Sequence, residues 1–146
     1  MSKLGFKELL VWQRSKNLAV AIYKLTSQGR LRSDFGLVDQ MRRSAVSIPS
    51  NIAEGDERST DRDSVRFFYI SKGSLAELIT QLITQLEIAK DVGLVEGADV
   101  DGLEKESVEI GKMLGALIKA RSRTFRPALL LMSVACLAGY FLSKLV

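Results

Sequence analysis

The sequence predicts an all-α fold of four helices followed by a hydrophobic C-terminal extension. Three observations predict it. Apolar residues recur at spacings of three and four along most of the 146-residue chain. Helix-forming residues dominate, with no clear alternating strand segment. The two prolines, Pro49 and Pro127, fall at informative places. The organising unit is a pair of stretches, Gln40–Gly55 and Arg66–Leu82, joined by a short polar turn. They read as an antiparallel helix pair that must bury its apolar faces against the flanking helices. Residues 1–123 are assigned to the helical domain and 124–146 to the tail.

The first helix is expected over about 7–27. Val11, Leu18, Ile22 and Leu25 share one face. Trp12, Ala19 and Tyr23 form a second stripe about a quarter turn away. Two readings fit the second stripe: burial against another subunit, or a broad core face with Tyr23 at its rim. Gly29 suits the stop. The second helix begins at Ser33 or Asp34, either of which can cap it, and ends near Gly55. Phe35, Val38, Met41, Ala45, Ile48 and Ile52 carry its face. That spacing runs through Pro49 unbroken, so a kinked but continuous helix is expected. Ser44, Ser47 and Ser50 are placed to bond the disturbed backbone.

The third helix is expected over about 61–92. Thr60 and Asp63 are spaced as a capping-box variant before it. Phe68, Ser71, Leu75, Leu78, Leu82, Leu86 and Ala89 line one face. Phe67, Ile70, Ile79, Ile83 and Ile88 widen the apolar surface beyond what a surface helix needs, so this helix is central or lies at an interface. Gly73 reads as a close helix approach or as simple tolerance. Gly93 is a natural C-terminal cap. The fourth helix is expected over about 101–121, with Leu103, Ile110, Leu114 and Leu117 facing inward. After it, Pro127 to Ser143 is an uncharged run bounded by Arg126 and Lys144. Its length is at the lower limit for crossing a bilayer. Membrane contact through residues 127–146 is one reading; an extra helix packing in an oligomer is another.

Composition excludes much chemistry. The chain has no histidine and one cysteine, Cys136. No Ser-His-Asp or Cys-His arrangement can be built, nor a Cys/His zinc site. No metal, cofactor or small-molecule substrate is expected. A single cysteine fits a reducing compartment. The first residues lack the apolar core of a secretory leader, so a cytoplasmic location is expected, with membrane association through the tail as a variant. Glu54, Glu77 and Glu87 are the carboxylates that acid–base work would draw on, but Glu54 and Glu77 read more simply as helix-end and polar-strip residues.

Net charge is +4 and unevenly spread. Residues 1–53 carry nine Lys/Arg against three acids, residues 54–110 six against fourteen, and residues 111–146 six against none. Both ends are basic and the middle is acidic. The pattern fits solvated helix faces, or a basic surface for an anionic partner with complementary charge between subunits.

The segment Gln40-Met-Arg-Arg-Ser-Ala-Val-Ser-Ile-Pro-Ser-Asn-Ile-Ala-Glu-Gly55 closely resembles the signature of small bacterial four-helix-bundle proteins. Their genes are best known from intervening sequences in 23S ribosomal RNA genes. Arg66-Phe-Phe with Gly73-Ser-Leu-Ala-Glu-Leu78 resembles the second signature, and Phe6-Lys-Glu-Leu-Leu-Val-Trp-Gln13 the usual start. The resemblance covers about residues 4–121; the tail after Arg126 departs from it. It implies an antiparallel up-down-up-down bundle, assembly into a homopentamer and no established enzymatic activity. Relatives include accessory proteins of diversity-generating retroelements, which work with a reverse transcriptase and RNA.

In an up-down bundle the first and fourth helices are neighbours, and these are the basic segments. Arg14, Lys16, Lys24, Lys112, Lys119, Arg121 and Arg123 are therefore the candidate nucleic-acid-binding residues, with RNA the expected partner. Trp12, Ala19, Tyr23, Ile70 and Ile88 are the candidate oligomer interface. The alternative is a structural or protein-interaction module tethered to a membrane by its tail.

Overall fold

The computed structural model describes the backbone of residues 5–93 and 97–142, and the side chains of residues 5–81, 84–93 and 100–123. Four principal helices make up the described chain: α1, Leu10–Thr26; α2, Phe35–Asp56; α3, Asp61–Gln81; and α4, Gly97–Leu142. A 3₁₀ turn, Gly5–Glu8, leads into α1. A second, Leu31–Ser33, joins α1 to α2 and plugs Leu31 into the core at 1% exposure. Among the described residues there is no strand.

Each helix packs on two others: α2 and α4 both lie against α1, and both lie against α3. The seam between α2 and α3 pairs Gly55 with Phe68, Ile48 with Ser71, and Ser47 with Ser74. Falling numbers on α2 meet rising numbers on α3, so this pair runs in opposite senses. The predicted faces fill the core. Val11, Leu18 and Ile22 meet Val38, Met41, Ala45, Ile48 and Ile52, with Leu75, Leu78, Leu86, Ile110 and Leu114 closing the other side. This repeat puts one residue per turn inward, as a bundle requires.

Local chemistry sets the ends. Asp34, rather than Ser33, caps α2: its Oδ1 accepts from the Leu37 amide at 3.1 Å. Thr60 Oγ1 accepts from the Asp63 amide at 3.2 Å and donates to Asp63 Oδ2 at 2.8 Å, so the capping-box variant closes hydroxyl to carboxylate. Among the described residues Gly29 and Gly93 have positive φ, 59° and 72°, and both stand where a helix has just stopped. Two buried hydroxyls bond their own helix: Ser15 and Thr26 donate to the carbonyls of Val11 and Ile22 at 2.6 and 2.7 Å.

Pro49 lies inside a continuous α2 and is buried. Support comes from Ser50, whose hydroxyl donates to the Val46 carbonyl at 2.8 Å, and from Ser71 of α3, which donates to the Ile48 carbonyl at 2.9 Å. Asn51 adds a bond to the Ser47 carbonyl at 2.8 Å. Ser47 itself bonds across to Ser74 at 2.8 Å rather than to the backbone.

Three expectations are corrected. Phe35 is not a core residue but 80% exposed. It is the first residue of α2, and helical side chains lean toward the N-terminus, so the ring overhangs the end of the bundle. The third helix is not α throughout: after Gln81 it widens into a π-helical segment, Leu82–Leu86, before a last α turn, Glu87–Asp91. The fourth helix starts earlier and ends later than expected, its backbone running from Gly97 to Leu142. Gly73 faces open space, which removes the close-approach reading. Among the described residues no helix is long and apolar enough to cross a membrane. The expected hydrophobic tail falls on residues 124–146, whose side chains lie outside the described residues.

Candidate nucleic-acid interface

The seven expected cations do not share one surface; the fold sorts them into three groups. Arg14, Lys112 and Arg121 are engaged by carboxylates. Arg14 grips Glu106 of α4 in a fork, Nε to Oε1 at 2.7 Å and Nη2 to Oε2 at 2.6 Å. This hydrogen-bonded pair holds the Glu106 carboxyl below its ordinary value and the Arg14 guanidinium above its own. Lys112 reaches Glu109, one turn back, at 2.6 Å. Arg121 bridges Asp56 at 2.8 Å and Asp61 at 3.4 Å, fastening α4 to the α2–α3 turn. Arg14 and Arg121 tie helices together, and Lys112 is paired within its own helix.

The Glu106 pair has a pH consequence. A carboxyl lowered by folding contributes stability that is present above its ordinary value of 4.5. That contribution is lost as pH falls through the lower folded value. Thermal melts of the wild type should therefore lose stability on acidification below that point more steeply than melts of Glu106→Gln, which has no proton to take up there.

Lys16 and Lys24 form the second group, at an apolar groove of about 800 Å³ between α1 and α2. Trp12, Ala19 and Tyr23 line it, with Val20, Val46, Pro49 and Ala53. Trp12 is held edge-on to Phe6 with ring centroids 5.1 Å apart. Arg42 lies 4.8 Å over the Tyr23 ring, steered by its bond to Thr26 Oγ1 at 2.8 Å. The stripe expected on the first helix is thus brought together with an apolar patch of α2. Ala19 is buried, Trp12 half-buried and Tyr23 exposed. Ile70 and Ile88 are exposed on α3 and its last turn and do not line this groove.

Lys119 and Arg123 form the third group, in a cleft of about 420 Å³ between α3 and α4. Its walls are Tyr69 and Lys72 from α3, and Gly115, Ile118, Lys119, Ser122 and Arg123 from α4. Three cations and no acid line it among the described residues. Among the described residues none of the three forms an ion pair. Ile118 is buried beneath, at 6% exposure, while Tyr69 stands 57% exposed at the side. Gly115 keeps the space open: a β-carbon there would meet nothing within 4 Å. A patch of unneutralised positive charge at a concave surface concentrates field lines and attracts anions.

Sequence reasoning missed Tyr69 and Lys72. They sit in the acidic middle of the chain, and the signal that exposes them is spatial: the packing of α3 on α4, with Asp61 against Arg121 and Leu75 against Gly111, brings Tyr69 and Lys72 to one cleft with Gly115, Ile118 and Lys119. No group of three or more potential metal ligands occurs among the described residues.

The fold has a solved counterpart. The crystal structure of a protein of unknown function from the S23 ribosomal protein family of Bacteroides thetaiotaomicron is similar with a TM-score of 0.64 and 24% identity, covering 75% of this chain and 99% of that one. At that identity the likeness speaks for the fold alone. No curated protein matches the chain. The sequence model described as 23S rRNA-intervening sequence protein matches residues 7–116. That span holds the core of all four helices together with Tyr69 and Lys72, and it places the chain in the 23S rRNA-intervening sequence protein family.

Proposed function

We propose that this chain is a non-enzymatic, self-associating helical module that binds nucleic acid, RNA in particular. The acid-free cleft of Lys72, Lys119 and Arg123 carries the reading. Cations already satisfied by carboxylates gain little from a phosphate, whereas unpaired ones release counterions when they bind one. The test is binding of a fluorescent RNA to the full chain at low salt. The expected result is affinity lost in a Lys72→Gln, Lys119→Gln, Arg123→Gln triple variant. It is retained in a variant that removes equal charge elsewhere, Arg62→Gln, Lys90→Gln, Lys105→Gln. Equal loss in both reduces the effect to net charge and overturns the cleft as the site.

The apolar groove supports self-association. Val20 and Val46, 47% and 42% exposed, lie in a groove with Trp12 and Tyr23 that no other described residue covers. A homo-oligomer, the pentamer that the sequence resemblance implies, would bury this patch and repeat the basic cleft around a ring, raising RNA affinity through avidity. Light scattering should give a multiple of the 16.1 kDa chain mass. A Val20→Glu, Val46→Glu variant should fall to the single-chain mass. A wild-type monomer contradicts this part.

A further inference from the structure

We infer that the α3–α4 cleft takes an unpaired nucleotide, with its base on the ring of Tyr69 and its phosphate among Lys72, Lys119 and Arg123. The inference rests on the nucleic-acid reading of this cleft and specifies which form of nucleic acid enters it. Lys72 stands one turn beyond Tyr69 on α3, and Lys119, Ser122 and Arg123 stand across the gap on α4. The ring is more than half exposed, and its hydroxyl has no partner among the described residues. An exposed aromatic face beside cations matches the two halves of a nucleotide, a flat base and an anionic phosphate.

Shape decides between strand and duplex. The cleft is a furrow over two helices in direct contact and holds about 420 Å³, room for one nucleotide but not for the breadth of a duplex. A duplex keeps its base faces stacked inward and offers only phosphates and groove edges, which leaves Tyr69 without a role. The missing side chain at Gly115 and the apolar floor of Ile118 leave about 420 Å³, space for a base and sugar to lie against the protein. Ser122 adds a hydroxyl that can donate to phosphate or base.

The test compares a short mixed-sequence RNA, single-stranded or annealed to its complement, on the full chain and its variants. Tyr69→Leu should weaken single-strand binding by about tenfold, the scale of one lost base stack. Tyr69→Phe should restore it, and duplex binding should not respond to either. Tyr69 is exposed, so these changes leave the core untouched. Wild-type single-strand affinity in Tyr69→Leu, or a preference for duplex, overturns the inference. If Tyr69→Leu is silent while the triple charge variant still loses RNA, stacking fails and the nucleic-acid reading survives. If the triple variant is silent too, that reading fails with it.

Discussion

Truncating Phe68 to alanine should lower the stability of the bundle by about 4 kcal/mol. The ring is fully buried and heads the set of large side chains with no exposure. It stands in the α2–α3 seam with Gly55 and Ser64. Removing it forfeits the transfer free energy of the ring and leaves a void that rigid helices close only in part. Domains of this kind hold roughly 5–15 kcal/mol in all, so the variant should unfold at much lower urea with little change in the slope of the transition. A loss under about 1 kcal/mol would mean that the seam collapses around the void.

Adding a single methyl at Gly55 should destabilise the same seam from the other side. A β-carbon there would sit 2.6 and 2.8 Å from two carbons of the Phe68 ring and 3.0 Å from the Ser64 carbonyl oxygen. A buried ring and a backbone carbonyl cannot both retreat. In an open helix, Gly→Ala gains up to about 1 kcal/mol. Here overpacking should outweigh that gain and leave a net loss of about 2 kcal/mol, read by urea unfolding. The two changes touch the same space, so they should not add. In the Phe68→Ala background the Gly55 methyl enters the void, and the double variant should be more stable than the sum of the two losses. Strict additivity would show that the ring and Gly55 are not in contact. The signature sequence ending at Gly55 thus reads as a packing device: a bare backbone position that admits Phe68.

The core was legible in the sequence because helical burial follows a local repeat. Val11 to Ile22, Val38 to Ile52, Phe68 to Ala89 and Ile110 to Leu114 are all spaced for one inward face, and the structure buries that face, Leu82 apart, whose side chain lies outside the described residues. Pro49 was legible for the same reason, since the repeat passes through it. The Asp34 cap was narrowed to two residues, because caps depend on near neighbours. Phe35 fits the repeat but lies past the end of the core, where the repeat has no meaning. The π segment at Leu82–Leu86 answers to packing between helices, which leaves no mark in spacing.

The candidate site was half legible. Charge bookkeeping found Lys119 and Arg123, but it could not separate them from Arg14 or Arg121. The carboxylates that engage those two lie 92 and 65 residues away. Tyr69 and Lys72 carry no local sign of their role. Which cations stay free is decided by the pairing of distant helices, and that pairing appears only in three dimensions. The Trp12, Ala19 and Tyr23 stripe was legible as a second face, whereas its continuation onto Val46, Pro49 and Ala53 of α2 was not.

The salt dependence of single-stranded RNA binding probes the cleft without reference to fold or oligomer number. Each cation that meets a phosphate contributes roughly 0.7 to the slope of log affinity against log salt for single strands. The Lys72→Gln, Lys119→Gln, Arg123→Gln variant should therefore show a slope shallower than the wild type by about 2. An equal slope in the two proteins would mean that these three side chains release no counterions, and that the cleft between α3 and α4 is not where nucleic acid binds.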